Sequence, residues 1–395
     1  MRIAVKLIIL TVFLAILAII ITYARGYRPN IAKKTFSSTG ILAISSNPKA
    51  AKIYVNNELK GVTDTNITLA PGHYKVEIKK DGYTTWAKQI TLKGELVISL
   101  DALLFPINPS LSPLTNLGIV KAIPVDQTGN IILLVENNDE IKDGIYLFQT
   151  SQKPLSFLPP IQQLLLKKNL PAEIDFKKES QITFSPDYKQ AIFEFKSGYS
   201  YLLSTEQANQ NLFIVEDESK QNLLTKWQEQ KQKNDNKILE TFSKDFAKIA
   251  SDSFKVVAFS PDETKLLYKA NSSFKLPLMI TPPIIASNQV AEERSLKKDQ
   301  YYIYDKKEDK NFLIDSAFSK AINNALWYPD SKHLVFNFNK KISVVDYDGE
   351  NSRTVYSGQS EQSFYTTTSD GKIITLANFN PEANPLPDLY LVGIK

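Results

Sequence analysis

The sequence contains no cysteine and only two histidines, His73 and His333. Without cysteine there is no disulfide framework, no thiolate metal site and no cysteine nucleophile, so packed cores alone must hold the fold. The same absence leaves the compartment open, because a chain without thiols is indifferent to redox poise. Two histidines cannot build a three-histidine metal site. Neither has a second histidine or a carboxylate at ligand spacing beside it, which also disfavours a Ser–His pair. The serine-elbow pattern G-x-S-x-G and the Walker and dinucleotide glycine patterns are missing too. No catalytic, cofactor-binding or metal-ligating residue can be singled out, no cofactor is implied, and the binding residues stay unknown. The expectation is a protein that is not an enzyme.

What is present is the make-up of an ordinary globular protein of 395 residues, 43% hydrophobic and 23% charged, a length that implies two or three domains. The 18 Tyr and 21 Phe, set in many short Val/Ile/Tyr/Phe runs, lean towards strands. The net charge of +5 is spread along the chain and offset by acids, which argues against a nucleic-acid partner. Arg25, Arg28, Lys33 and Lys34 crowd together after the first apolar run, where they read as a headgroup contact.

That run, LIILTVFLAILAIIITYA over residues 7–24, has eighteen residues without a charge. At about 1.5 Å rise per residue it spans roughly the hydrocarbon core of a bilayer. A signal peptide is the competing reading. Signal cores are usually about 7–15 residues and end in a small-x-small cleavage site, whereas this one is longer and offers only Thr22-x-Ala24. An uncleaved membrane anchor is therefore preferred. Basic residues flank both sides, so charge does not decide orientation. A short cytoplasmic stub with the bulk of the chain outside the cytoplasm is the expected arrangement.

The division expected is a stub and transmembrane anchor over residues 1–26, a linker over 27–38, a small β-domain over 39–105 and a larger β-domain over 106–395. In the small domain, GILAISS, AKIYVNN, HYKVEIKK, TWAKQITL and ELVISLD read as strands, separated by turn signals at Asn47-Pro48, Asn56-Asn57, Pro71-Gly72 and Asp81-Gly82. Gly61, Gly72, Gly82 and Pro71 are turn-makers, and Tyr83 and Trp86 core or edge aromatics. ISSNPKAAKIYVNNELKGVT followed by LAPGHYKVEIKKDGYTTW resembles a PEGA domain, through IYVNNELKG, Pro71-Gly72-x-Tyr74 and Gly82-Tyr83. One departure is Asp64, after Thr63, where the family often has Pro. The resemblance implies a small β-sandwich next to a membrane anchor, in contact with the cell envelope or surface layer.

Further on, a motif recurs. FSPDYKQAIFEF from Phe184, FSPDETKLLYKA from Phe259 and WYPDSKHLVFNF from Trp327 are plain copies; VDQTGNIILLVE from Val125 and TSDGKIITLANF from Thr368 are weaker ones. Each gives an Asp, a polar turn and an apolar strand, followed by a second strand candidate such as SYLLST or KISVVDY. Such units cannot bury both faces alone and must stack on neighbours, which is the logic of a β-propeller. Asp330 and Asp370 lie forty residues apart, one blade length. SPDETKLLY and YPDSKHLVF resemble the Pro-Asp, WD-like propeller repeats of Tol-system periplasmic proteins and peptidase propellers. The expected fold class is thus all-β: an N-terminal transmembrane helix, a PEGA-like sandwich, then a propeller of five visible repeats and five to seven blades.

Insertions are expected near 206–251 and 271–299. In the first, Ile238, Phe242, Phe246 and Ile249 share one helical face, and Leu223, Leu224 and Trp227 offer a second helix to pack on it. A hairpin laid on the propeller edge is preferred to a docking arm. The second holds MITPPII, an extended loop that either covers the domain or contacts a partner or membrane.

The remaining acidic clusters have plain readings. Asp346, Asp348 and Gly349 look superficially like a calcium loop but lack its further ligands, and a hairpin tip explains them. Asp187, Asp262 and Asp330 read as turn stabilisers. The functional expectation is a membrane-anchored extracytoplasmic scaffold of a bacterial cell envelope, held through residues 7–24, with the propeller as a platform for an envelope protein or glycan. A propeller hydrolase or lyase acting on envelope polysaccharide is the rival, and a sensor is a third reading weakened by the small stub. Oligomeric state is left open.

Overall fold

The computed structural model describes residues 2–24, 28–30, 35–125, 129–137, 139, 141–150, 160–178, 180–314, 319–382 and 384–394. The chain divides into two compact units, Met1–Ile107 with Ile285–Ala291, and Asn108–Ile284 with Glu292–Lys395. Of the basic cluster, Arg25, Lys33 and Lys34 lie outside the described residues, as does Asp126 of the first weak repeat.

Unit 1 begins with helix α1 (Arg2–Ala24). Its stretch Val5–Tyr23 is long and apolar enough to cross a membrane, and none of it is buried against protein. The hydroxyls of Thr11 and Thr22 donate to the carbonyls of Leu7 and Ala18 at 2.9 and 2.6 Å, so neither threonine hydroxyl in the run is left bare. A short pair, β1 (Arg28–Asn30) and β2 (Thr35–Ser37), follows.

The sandwich of unit 1 has strands β3 (Gly40–Asn47), β4 (Lys52–Val55), β5 (Glu58–Val62), β6 (Thr65–Leu69), β7 (Gly72–Lys79), β8 (Trp86–Leu92) and β9 (Val97–Leu103). They form two sheets in the orders β6-β3-β9 and β5-β4-β7-β8, and β3 and β9 run parallel. Alternation decides which side faces inward: Leu42 and Ile44 of β3, Ile53 and Val55 of β4, Val76 and Ile78 of β7, and Ile98 and Leu100 of β9 meet in one core. Each such side chain contributes about 1.5–3 kcal/mol on burial. The sequence reading gave five strands here, and the structure adds β5 and β6. All their side chains are exposed or half-buried: β5 shows no apolar alternation, and in β6 only Ile67 and Leu69 turn towards the core, too short a run to mark a strand. The Asn56-Asn57 turn between β4 and β5 has both residues at positive φ, 50° and 68°, the geometry of a two-residue hairpin. Residues 285–291 join this unit through Gln289, whose carboxamide accepts from Thr91 N at 2.5 Å and donates to Thr91 O at 2.9 Å.

Unit 2 opens with β10 (Ser110–Pro113) and continues as a series of antiparallel four-stranded sheets. The first is β11 (Ile119–Val125), β12 (Asn130–Val135), β13 (Gly144–Phe148) and β14 (Ile161–Leu166). The second is β15 (Ser180–Phe184), β16 (Gln190–Phe195), β17 (Ser200–Ser204) and β18 (Phe213–Ile214). The third comprises β19 (Phe254–Phe259), β20 (Lys265–Ala270), β23 (Tyr301–Asp305) and β24 (Lys310–Leu313); the pair β21 (Phe274–Lys275) and β22 (Ser295–Leu296) lies between β20 and β23 in the chain. The fourth is β25 (Leu326–Trp327), β26 (His333–Phe338), β27 (Lys341–Asp346) and β28 (Arg353–Tyr356). The fifth combines β29 (Tyr365–Thr367), β30 (Ile373–Ala377) and β31 (Asp388–Gly393) with β10, which pairs with β31 from Ser110↔Gly393 to Pro113↔Tyr390.

Apolar clusters join several of the sheets in pairs. One combines Ile132 and Leu147 of the first sheet with Phe193 and Leu203 of the second. Another sets Leu267 and Ile303 of the third against Leu334 and Phe336 of the fourth, and a further one packs Ile131 and Leu133 on Ile374 and Leu389 of the fifth. The fourth and fifth sheets are tied by Tyr328, whose hydroxyl donates to Gly371 O at 2.6 Å.

The segment read as an insertion near 206–251 is divided differently. Phe213–Ile214 is the outer strand of the second sheet, and the helices α2 (Asp217–Glu240) and α3 (Lys244–Ser253) lie beyond it. The face predicted through Ile238, Phe242, Phe246 and Ile249 is not one continuous helix. It breaks where Ser243 caps α3, its hydroxyl accepting from Phe246 N at 3.1 Å. The apolar side chains still converge. Phe246 stacks on Tyr304 with ring centroids 4.0 Å apart and on Phe242 at 5.4 Å, so the helices pack on the third sheet's aromatic face.

The 276–294 loop is pinned by Asp309. Its carboxylate accepts from Met279 N at 2.8 Å, Ile280 N at 2.9 Å, the Tyr304 hydroxyl at 3.0 Å and Arg294 Nη2 at 3.0 Å. Arg294 also donates to Pro277 O at 2.7 Å.

Candidate functional site

The recurring Pro-Asp motif occupies one structural position, the turn from the first to the second strand of a sheet. In the second sheet Ser185 Oγ donates to Asp187 at 2.7 Å, and Asp187 accepts from Lys189 N at 3.2 Å. In the third, Ser260 Oγ donates to Asp262 at 2.7 Å and Thr264 N donates to it at 3.2 Å. In the fourth, Lys332 N donates to Asp330 at 2.8 Å, and in the fifth Thr368 Oγ1 donates to Asp370. The residue after each Asp (Tyr188, Glu263, Ser331, Gly371) has positive φ, which closes the turn. These bonds hold Asp187 and Asp370 below the usual carboxylate range. For Asp262 burial works the other way, but the Ser260 and Thr264 bonds outweigh it. The aspartates are thus occupied by their own turns.

His73 is exposed and pairs through Nδ1 with Thr91 Oγ1 at 2.8 Å. Gly349, at φ 88°, and the bond from Glu350 N to Asp348 at 3.1 Å make the Asp346–Gly349 segment a hairpin tip. Among the described residues no group of three His, Asp or Glu side chains is placed to hold a metal ion.

His333 departs from the expectation of a histidine without carboxylate neighbours. Its Nδ1 lies 2.7 Å from Asp330 Oδ2 and its Nε2 3.2 Å from Asp346 Oδ1, and the ring is buried. Burial opposes charge on the ring, but the two carboxylates outweigh it and push the imidazole up to about 10. Burial likewise raises Asp330, and the His333 bond reverses this and brings it down. The reason for the miss is register: Asp330 is three residues back across the turn, and Asp346 is the direct partner of His333 in the β26–β27 ladder. The arrangement is a buried ionic clamp.

The site with room for a ligand is a cavity of about 1000 Å³ bounded by first strands. β11 contributes Lys121 and Ala122, β19 Val257 and Ala258, β25 Leu326 and Trp327, and β29 Tyr365 to Thr367. Pro261 and Pro329 of the recurring motif line it as well. Trp327 is fixed by donating from Nε1 to Ala258 O at 3.3 Å. Among the described lining residues Lys121 is the one charged group, and no carboxylate is present. Lys121 also lines a neighbouring cleft of about 520 Å³ against β15, where its Nζ donates to Ser180 O. No local pattern marks the cavity, because its wall comes from strands far apart in the chain, two of which, Leu326–Trp327 and Tyr365–Thr367, carry too few residues to show a period.

No curated protein sequence matches the chain. Among solved structures, the chain described as "putative TolB from Agrobacterium tumefaciens" aligns over 64% of this chain and 68% of its own, at 13% identity and a TM-score of 0.21. The profile of the PEGA domain family matches residues 39–108, so the seven-stranded sandwich of unit 1 is a PEGA domain.

Proposed function

We propose that the chain is a membrane-anchored extracytoplasmic scaffold of the cell envelope, its PEGA domain in contact with the envelope or surface layer. On this reading the five sheets of unit 2 are the blades of a β-propeller closed by β10, and that propeller is a platform for an envelope protein or glycan. The observation that carries the reading is the succession of an unburied apolar helix and a PEGA domain at residues 39–108. An N-in orientation puts both units on the outer side. The succession of four-stranded sheets, with the first strands β11, β19, β25 and β29 of four of them lining one cavity, supports the propeller. The binding role, as opposed to hydrolysis, is favoured by the cavity wall. A glycoside hydrolase needs two carboxylates about 5–10 Å apart, and the described lining offers none.

The test is co-sedimentation of the detergent-solubilised chain with purified cell-wall sacculi, beside a form lacking residues 39–108, with protease added to intact cells. Retention that is lost with the deletion, together with cleavage from outside, is the expected result. Retention unaffected by the deletion, or protection of the whole chain from external protease, overturns the reading.

A further inference from the structure

We propose that the unit 2 cavity is a binding site for an acidic saccharide, with the sugar carboxylate held at Lys121. The inference deepens the envelope reading above and rests on it. At about 1000 Å³ the cavity is at the upper end of ordinary ligand pockets, about 300–1,000 Å³. Lys121 has no carboxylate partner among the described residues; its one side-chain bond goes to the Ser180 carbonyl. Glu194, which lines the neighbouring cleft with Lys121, is already paired with Lys220 at 2.9 Å, and the described residues of the cavity wall hold no acid, so Lys121 favours a ligand that sets a carboxylate against it.

The rest of the wall selects among anions. Asn324, Ser363, Thr367 and Ser369 line the cavity, and their side chains form no hydrogen bond within the described chain. Hydroxyl and carboxamide groups both donate and accept, which matches the closely spaced hydroxyls of a sugar ring. The flat faces of Pro261 and Pro329 offer apolar surface to its C–H face. A cationic ligand finds no counter-charge among the described lining residues.

The probe is trigalacturonate, with its uncharged methyl ester and triglutamate beside it, titrated into the detergent-solubilised full chain by calorimetry and by tryptophan fluorescence. Trigalacturonate is expected to bind and to change emission, and the Trp327→Phe variant to lose that change while still binding by calorimetry. Lys121→Gln is expected to weaken binding roughly tenfold or more, and Lys121→Arg to retain it; thermal melts of both verify folding. Methyl ester binding as tightly as the acid, triglutamate binding in its place, or no binding of trigalacturonate overturns the proposal. Uronate binding without retention on sacculi sinks the wall-contact role and leaves the site standing.

Discussion

His333 and Asp346 face each other as ladder partners on β26 and β27, their charged atoms 3.2 Å apart in a buried part of the fourth sheet. Asp330 closes the other side of the ring at 2.7 Å. The folded protein holds a proton there that the unfolded chain releases near the ordinary histidine value of 6.5.

Stability should therefore depend on pH in a defined direction. The folded imidazole is raised to about 10, so the stabilisation is fully present below about 6.5 and is lost as pH climbs from there to 10. The loss is on the order of 3–5 kcal/mol. Urea denaturation at pH 6, 8 and 10 should show it, and in His333→Gln the slope over that window should flatten. An unchanged slope in the variant counts against the clamp.

Asp388 is the second buried carboxylate with a defined duty. It accepts from Thr115 Oγ1 at 2.9 Å, Leu117 N at 2.7 Å and Asn384 Nδ2 at 3.0 Å, and so fastens the segment after β10 to the start of β31. Asp388→Ala leaves these donors unmatched and should cost about 2–4 kcal/mol. Hydrogen exchange should quicken first at residues 110–117. Uniform quickening across all five sheets would contradict a local fastening.

Removal of the Asp309 carboxylate should be harsher than removal of Arg294. Asp309→Ala takes one of the two carboxylates from Arg294, which keeps Glu292 at 2.8 Å, and strands two backbone donors, with an expected loss of about 2–4 kcal/mol. Limited proteolysis should then cut within 276–284, beside the freed Met279 and Ile280 amides, before any other part of unit 2.

The helix break makes a smaller and separable prediction. Ser243→Ala removes the cap of α3 and should cost about 1 kcal/mol. Phe246→Ala empties the stack on Tyr304 and should cost about 3–5 kcal/mol. Thermal melts of the two variants will rank them; equal effects would mean that the helices do not depend on that aromatic stack.

Where burial leaves a mark on one strand, the fold is legible in the residues. Leu42 and Ile44, or Ile53 and Val55, announce their sheets by alternation, and the Pro-Asp turns by an aspartate that satisfies the backbone two residues on. Strand β5 carries no such mark and β6 only a faint one in Ile67 and Leu69, since hydrogen bonding to a neighbour makes them strands while most of their side chains stay at the surface. The join at Thr241–Ser243 was hidden because the apolar spacing runs on through it unbroken. His333 and the cavity were hidden for a different reason. Their chemistry arises from register and from strands distant in sequence, such as Lys121 and Thr367, which no local pattern brings together.

The pairing of Ser110 with Gly393 also sets an order of events. Four sheets of unit 2 are built from strands consecutive within the sheet along the chain, but the fifth waits for residues at both ends of the unit. Closing that long loop is the slow step expected of such a contact. However early the other four sheets form, the fifth cannot be completed until β10 and β31 have met.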